Sequence, residues 1–142
     1  MKRLWNIIKF RFFPSNEEKE FGEKYKTLRM SAIEWNVTTL TDNTFIMQVR
    51  KICEEVGEVL DAMETNPEDV IKEKADVLIA IWGLSAFDEI ASNIAEQCFW
   101  LLNGDGKEII KEAESKLIEL HKRTYVKVNG VYRHETKRNT LN

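Results

Sequence analysis

The sequence predicts an all-α protein, a four-helix bundle that ends in a short C-terminal β-hairpin. Apolar residues recur at the three- and four-residue steps of a helix through most of the chain. Near its end, an Asn-Gly pair separates two short runs of β-forming residues, which is the strongest short-range hairpin signal. The 142 residues, 43% hydrophobic and 32% charged, fit one ordinary globular domain with one sizeable core.

The chain divides into an N-terminal arm over residues 1–16, a helical domain with its hairpin over residues 17–134, and a polar tail over residues 135–142. The arm is basic at its start and partly apolar, as a signal peptide is. However, Lys9 and Arg11 interrupt the apolar run, and no small-residue cleavage site follows. We expect the arm to pack on the body or on a neighbouring subunit; a weak contact with a membrane surface is the alternative.

Composition excludes several classes of protein. The longest apolar stretch, Val77–Leu84, is far shorter than the roughly 20 residues that a membrane span needs. A net charge of −3 argues against broad electrostatic binding to nucleic acid. Cys53 and Cys98 are too few for a disulfide framework or a zinc site. We therefore predict no membrane span, no nucleic-acid partner, and two buried thiols in a reducing compartment, the cytoplasm.

The first two helices are predicted from apolar residues at helical spacing. Helix one begins near Glu17 and fades over Asn36–Thr41, where β-branched and polar residues cluster. Helix two begins at Asp42 or Asn43, either of which can cap it. The apolar stripe of helix two, taken as its core-facing side, consists of Phe45, Ile46, Val49, Ile52, Cys53, Val56, Val59, Leu60 and Met63.

Helix three is predicted to begin near Pro67, because Asn66 is a good N-cap and Pro suits the first helical position. Its segment Val77–Leu84 is apolar on all sides and should be buried on several of them. Gly83 and Ser85 indicate either the close approach of another helix or a bend, after which the helical pattern resumes.

The last helix is predicted from about Lys107 to Thr124. After it, Tyr125–Val128 and Val131–His134 should pair as the hairpin around the Asn-Gly turn.

Acidic residues stand in pairs three positions apart on two successive helices. Glu55 and Glu58 form the pair on helix two, and Glu73 and Asp76 form the pair on helix three. Antiparallel packing of these helices would bring four carboxylates together, where they repel one another or take up protons. A hard divalent cation removes this conflict. Ligand sets made only of oxygen suit magnesium, with manganese as a substitute.

A helical wheel indicates which of these acids point inward. Glu55 lies about 40° and Glu58 about 100° from the edge of the apolar stripe, whereas Glu54 lies near the opposite face. Asp76 directly precedes the all-apolar run, where a carboxylate needs a compensating charge. Acidic pairs also occur on solvated helix faces, so the pattern leaves a metal site and a solvated surface both open.

The acidic motif resembles that of a known family. Glu54-Glu55-x-x-Glu58, followed after 14 residues by Glu73-x-x-Asp76, is similar to the EExxE…ExxD signature of the MazG-type all-α NTP pyrophosphohydrolases. KICEEVGEVLDAM resembles the first metal helix of that family, and EKADVLIAIWGL resembles the second. The resemblance covers about residues 43–84, extends more loosely to the last helix and hairpin, and leaves the first 20 residues without a counterpart.

The resemblance implies a reaction, its metal ligands and a partner. Family members split a nucleoside triphosphate between the α and β phosphates, giving a monophosphate and pyrophosphate. By position, Glu55, Glu58, Glu73 and Asp76 would bind magnesium. Glu54 would help with a second ion or the attacking water, which makes Glu54 and Glu55 the predicted catalytic residues. The family also implies a homodimer or tetramer, because its members usually complete the site through a partner subunit.

The remaining parts of a nucleotide need other contacts. Lys116 and Arg123 stand seven residues apart on one flank of the last helix, and we predict that they contact phosphates. Two solvated surface cations are the alternative. Trp35 and Asn36, near the end of helix one, are the predicted base contacts, and a core position is the alternative for Trp35.

Two other functions stay open on the sequence. The chain could be a non-catalytic helical oligomerisation or interaction module whose acids are merely solvated. It could also be a related phosphohydrolase that acts on dUTP or on phosphoribosyl-ATP. Release of pyrophosphate from a panel of nucleotides, with and without magnesium, separates these functions from the predicted one.

Overall fold

The computed structural model describes residues 16–103, 106–129 and 131–134, so nearly all of the predicted arm and the whole predicted tail lie outside the described residues. The described residues form five α-helices, a short 3-10 turn and one antiparallel two-stranded sheet, which confirms the predicted all-α class with a C-terminal hairpin. The elements are α1 (Asn16–Thr39), α2 (Phe45–Thr65), the 3-10 turn (Pro67–Asp69), α3 (Val70–Leu84), α4 (Glu89–Leu102), α5 (Gly106–Leu120), β1 (Tyr125–Val128) and β2 (Val131–His134).

Helix α3 is the centre of the bundle. It packs against α1, α2, α4 and α5. Every residue from Val77 to Leu84 is buried, as predicted for a run that is apolar on all sides, and Leu78 and Trp82 expose no surface. Burying an apolar side chain of this size contributes roughly 1.5–3 kcal/mol, so this helix anchors the core. None of the described helices combines the length and the apolar character that a membrane crossing requires.

The cap of α2 differs from the prediction. Thr44, not Asp42 or Asn43, is the N-cap, and its hydroxyl accepts a hydrogen bond from the Met47 backbone N–H at 3.2 Å. The side chain of Asn43 is engaged elsewhere, because its carbonyl accepts from the Thr44 N–H and its amide donates to Gln48.

The start of α3 also differs in detail. The Asn66 side chain caps no helical N–H, and it donates instead to the carboxylate of Asp69. Pro67 occupies the first turn as predicted, but that turn is a 3-10 turn and the α-helix begins only at Val70.

The predicted third helix is two helices. Helix α3 ends at Leu84, and Asp88 starts α4 by accepting a hydrogen bond from the Ala91 N–H at 2.9 Å. Gly83 allows a close approach, because a Cβ atom there would lie 2.7 Å from Nε2 of Gln48 and 2.8 Å from Nδ2 of Asn36. The glycine therefore makes room for side chains of α1 and α2 against the backbone of α3.

Helix α5 is shorter than predicted, whereas the hairpin agrees with the prediction. The helix ends at Leu120 rather than Thr124, because the chain turns there to enter β1. Lys127 pairs with Tyr132 across the hairpin, and Asn129 adopts a positive φ of 51°, as the tight turn requires. The Tyr132 hydroxyl accepts a hydrogen bond from the Asp42 N–H at 2.7 Å, which holds the hairpin against the connection between α1 and α2.

The orientation of α2 is the largest departure from the prediction. Much of its apolar stripe is exposed, including Ile46, Val56, Leu60 and Met63. The buried residues of this helix are Gln48, Glu55, Val59 and Ala62. Helix α2 thus turns a partly polar face into the bundle and an apolar face outward.

The two cysteines are exposed, so the prediction of buried thiols was wrong. Cys53 belongs to the outward apolar stripe of α2. Cys98 lies on the face of α4 that also carries Ile90 and Ile94, which are exposed as well. The helical pattern identified the apolar faces of α2 and α4 correctly. It did not show whether other parts of the chain cover those faces.

Replacing Gly83 with alanine should destabilise the protein. The added Cβ would displace the buried amides of Gln48 and Asn36, and such overpacking costs about 1–3 kcal/mol. Gly22→Ala is the control, because no described atom lies within 4 Å of its Cβ position and helix propensity favours alanine by up to about 1 kcal/mol. Thermal unfolding should show a lower Tm for Gly83→Ala only; equal or higher Tm values for both variants would contradict the close approach.

Candidate functional site

A cavity of about 620 Å³ lies between α1, α2, α3, α5 and the hairpin. Its volume falls in the range of roughly 300–1,000 Å³ that is typical of small-molecule sites. Carboxylates, cationic side chains, amides and aromatic rings all line it. Among the lining residues are these predicted site residues: Trp35, Asn36, Glu54, Glu55, Glu58, Asp76, Lys116 and Arg123. Glu73 does not line the cavity, but it approaches two of those acids.

Three acids from two helices converge beside the cavity. Glu55 and Glu58 stand one turn apart on α2, and Glu73 faces them from α3. Each offers a carboxylate oxygen, and these oxygens all lie within 4.8 Å of one another. We call Glu55, Glu58 and Glu73 the three-acid cluster. Glu55 is buried, with only 6% of its surface exposed, so the cluster is not simply a solvated acidic face.

The surroundings of these acids disfavour their charged forms. Burial raises the pKa of Glu55, and the nearby Glu58 adds to the rise, although Lys51 opposes it. Burial and the charge of Glu73 raise the pKa of Glu58. Burial also raises the pKa of Asp76, with Lys116 opposing. Ionised carboxylates in this position need a further positive charge nearby.

Two lysines supply part of that positive charge. Lys116 reaches from α5 to α3 and places its Nζ 3.0 Å from Oδ2 of Asp76. Lys51 forms an ion pair with Glu55 and lies 3.6 Å from Oε1 of Glu54. Burial alone would lower the pKa of Lys51, but the hydrogen bond and charge of Glu55 outweigh it and the pKa is raised.

Lys51 was not among the predicted site residues. A signal for it was present, because a lysine four residues before Glu55 and three before Glu54 lies on their side of the helix. Glu54 itself lines the cavity with its side chain 46% exposed, so it stands at the edge of the site rather than inside it.

Three amides form a hydrogen-bonded group that we call the amide network: Asn36 of α1, Asn43 of the connection between α1 and α2, and Gln48 of α2. The amide nitrogens of Asn36 and Asn43 donate to Oε1 of Gln48 at 2.9 and 2.7 Å. Gln48 in turn donates to the Ala80 carbonyl at 2.7 Å, which ties the network to α3. All three residues line the cavity, and Asn36 and Gln48 are buried.

Of the three residues in the amide network, only Asn36 was a predicted site residue. Gln48 lies seven residues before Glu55, hence on the same face of α2, but its burial depends on a contact with α3 that no local pattern shows. Asn43 was predicted only as a helix cap, and it contributes its amide to the network instead.

Trp35 belongs to both the core and the cavity wall. Its indole N–H donates to the Leu120 carbonyl at 3.2 Å, and its ring meets Tyr125 edge-on with the centroids 5.5 Å apart. These contacts fix the ring, so any base that reaches it would meet a preorganised surface.

Arg123 reaches the cavity for a different reason from the one predicted. The residue lies beyond the end of α5, so it and Lys116 do not share a helical flank. Both nevertheless line the cavity. Arg123 is paired with Glu119 at 3.0 Å, whereas Lys116 is paired with an acid of the site.

The donor set suits a hard divalent cation. The three-acid cluster offers only oxygen ligands, which magnesium and manganese accept and which zinc and copper sites usually supplement with nitrogen or sulfur. A buried carboxylate whose neighbours are also acidic gains most from such an ion.

Comparisons with protein-family models, with curated proteins and with solved structures found no match to this chain. The function of the cavity is therefore inferred from its residues and from the resemblance of the acidic motif.

The stability of the metal-free protein should fall as the pH rises from about 5 to neutral. The pKa values of Glu55, Glu58 and Asp76 are raised in the folded state, so the folded protein binds more protons than the unfolded chain in this window. These groups therefore favour folding at low pH, and their contribution is lost as the pH rises through the folded-state pKa values. The predicted magnesium ion would need the ionised carboxylates, so added magnesium should stabilise the protein more near pH 7.5 than near pH 5.

Thermal unfolding in a chelator and in magnesium, over that pH range, measures both effects. Glu55→Gln is the control, because it removes one of the titrating groups and should flatten the pH dependence. Stability that rises with pH in the chelator, or that magnesium leaves unchanged at both pH values, would contradict the arrangement of these acids.

Proposed function

We propose that this protein is a magnesium-dependent nucleoside triphosphate pyrophosphohydrolase. The observation that carries the proposal is the three-acid cluster, in which Glu55 and Glu58 of α2 and Glu73 of α3 bring carboxylate oxygens within 4.8 Å of one another. The cluster adjoins a cavity that also offers cations, amides and aromatic rings, the groups that a nucleotide needs. The resemblance of the acidic motif to the MazG-type family supports the same reaction.

The proposed reaction is hydrolysis at the α-phosphorus. A water molecule attacks that atom, the bond to the bridging oxygen of the β-phosphate breaks, and pyrophosphate leaves. Magnesium, held by the three-acid cluster and Asp76, would neutralise charge on the phosphate oxygens and orient the water. Glu54 lines the cavity with nearly half of its side chain exposed, and we propose that it accepts the proton of the attacking water.

The other groups of the cavity match the remaining parts of the substrate. Lys116 and Arg123 are the proposed phosphate contacts. Asn36, with the rest of the amide network, and Trp35 are the proposed base contacts. Gln48 lies seven residues from Glu55, or about 10 Å along α2, which leaves space for a sugar between the base and the reacting phosphate.

We also propose that the protein assembles with a second copy of itself through the apolar stripe of α2. The outward part of the stripe follows one face of the helix over about five turns. It consists of the half-buried Val49 and the exposed residues Ile46, Cys53, Val56, Leu60 and Met63. A contiguous apolar face of this length marks an interaction surface. The other face of α2 carries the site, so a second subunit on this stripe would hold the acid-bearing helix from outside. The resemblance implies a homodimer or tetramer.

We place the protein in the cytoplasm as part of the same proposal. Its two cysteines are exposed and free, and such thiols persist in a reducing compartment. Nucleoside triphosphates, the proposed substrates, are metabolites of that compartment.

Replacing Glu55 with glutamine should lower the rate of pyrophosphate release by roughly 100-fold or more, because charge stabilisation by a bound metal contributes several kcal/mol. Glu64→Gln is the matched control, since Glu64 is an exposed acid on the same helix. The assay measures pyrophosphate from a panel of ribo- and deoxyribonucleoside triphosphates, with dUTP and phosphoribosyl-ATP included, in magnesium and in a chelator.

A folded wild-type protein that releases no pyrophosphate from any substrate in magnesium would refute the proposed enzyme and favour the interaction module. Activity confined to dUTP or phosphoribosyl-ATP would assign the related phosphohydrolase instead.

Replacing Leu60 with lysine should convert the assembly to monomers. In the proposed assembly the second subunit covers this stripe. A lysine there would lose its water without gaining an opposite charge, which is very costly. Ile118→Lys is the control, because Ile118 of α5 is similarly exposed, at 55% against 58%, but lies outside the stripe. Analytical ultracentrifugation should show a dimer or larger species for the wild type and the control. A monomeric wild type at micromolar concentration would exclude the proposed assembly.

A further inference from the structure

Lys51 holds an unusual position for a residue with no assigned role. It lies one turn before Glu54 and Glu55 on α2, and its ammonium group is paired with Glu55 and lies 3.6 Å from Glu54. Its side chain also lines the cavity. The residue that carries this ammonium group therefore contacts acids of the proposed site and lines the space in which a nucleotide would bind.

A divalent cation and Lys51 would compete for the same carboxylate. Glu55 is the buried member of the three-acid cluster, and it is also the partner of Lys51. A cation bound by the cluster would stand within a few ångströms of the ammonium group, and like charges at that distance repel strongly in a partly buried site. Lys51 must then release Glu55 or weaken the binding of the cation.

The Lys51 side chain has open space around it, whereas its partner is buried. Half of the Lys51 side chain is exposed, against 8% of the Glu55 side chain. A lysine carries its charge on a flexible four-carbon stem, so the ammonium group can be redirected by rotation alone. The adjoining cavity is the space into which it would turn, and a triphosphate there would offer anionic oxygens as new partners.

Lys116 also pairs with a proposed metal ligand, but it is less exposed than Lys51. Its side chain is 20% exposed, and it joins α5 to Asp76 of α3. That contact spans two helices, so it also contributes to the packing of the bundle. Among the described residues, the ion pairs of Lys51 lie within its own turn of α2, so its release breaks no ion pair between helices.

We infer that Lys51 is a displaceable counter-ion: it pairs with Glu55 before a divalent cation binds, and it transfers its ammonium group to a phosphate of the nucleotide when the cation takes over that carboxylate. This inference rests on the proposed function, and it adds a phosphate-contacting residue that also lowers the affinity for the cation in the absence of substrate. The cation gives Glu55 a new partner, and the nucleotide gives Lys51 one. Each ligand therefore favours the binding of the other.

The experiment compares Lys51→Met, which keeps the stem and removes the charge, with Lys51→Arg, which keeps the charge. Calorimetry at about pH 8 measures the binding of Mn²⁺ to the protein alone, and then of a non-hydrolysable triphosphate analogue to the Mn²⁺-loaded protein. Lys51→Met should bind Mn²⁺ roughly tenfold more tightly and the analogue roughly tenfold more weakly than the wild type. Lys51→Arg should change both much less.

Lys72→Met is the control for net charge, because Lys72 is an exposed lysine beside Glu73 on α3. It should leave both affinities close to those of the wild type. Circular dichroism and thermal unfolding establish that each variant is folded.

Two results would overturn the inference. Equal or weaker Mn²⁺ binding by Lys51→Met would show that Lys51 does not compete with the cation. Tighter Mn²⁺ binding with unchanged analogue binding would show that the ammonium group is not transferred to a phosphate. Pyrophosphate release by the wild type, measured in parallel, tests the proposed function separately: a wild type that is active while Lys51→Met fails these tests retains the function and loses the inference.

Discussion

The burial of the Glu55 carboxylate between α2 and α3 is the constraint on which the structure depends. A charged group with 6% of its surface exposed is stable only with a positive partner, since an unpaired buried charge is very costly. Lys51 is such a partner, but Glu58 and Glu73 bring further negative charge to the same place. The acids therefore crowd negative charge at the contact between α2 and α3, which proton uptake or the proposed divalent cation would relieve.

This constraint explains the orientation of α2. A helix that directs Glu55 and Gln48 inward has to direct its apolar stripe outward, because the two faces lie on opposite sides. The loss of apolar burial from α2 is offset by α3, whose residues Val77–Leu84 are buried throughout. Polar contacts between α2 and α3 extend beyond the acids. At Gly83 the two helices are close, and Gln48 of α2 donates to the Ala80 carbonyl of α3.

The sequence predicted the local features well and the long-range ones poorly. The sequence predicted the buried run of α3 and the hairpin, because each depends on residues close together in the chain. The outward face of α2 was not predicted, since a helical wheel identifies an apolar stripe but not what covers it. The position of Gln48 was missed because it depends on a hydrogen bond to α3. The position of Lys51 was missed because its spacing from Glu55 permits an ion pair but does not require one.

A crystal of the protein soaked in Mn²⁺, with the ion located by its anomalous scattering, would show whether the acids of α2 and α3 share one cation. We expect an ion at about 2.1 Å from carboxylate oxygens of both helices, Glu55 or Glu58 on α2 and Glu73 or Asp76 on α3. An ion bound to the acids of one helix alone, or no ion at these carboxylates under saturating Mn²⁺, would contradict this expectation.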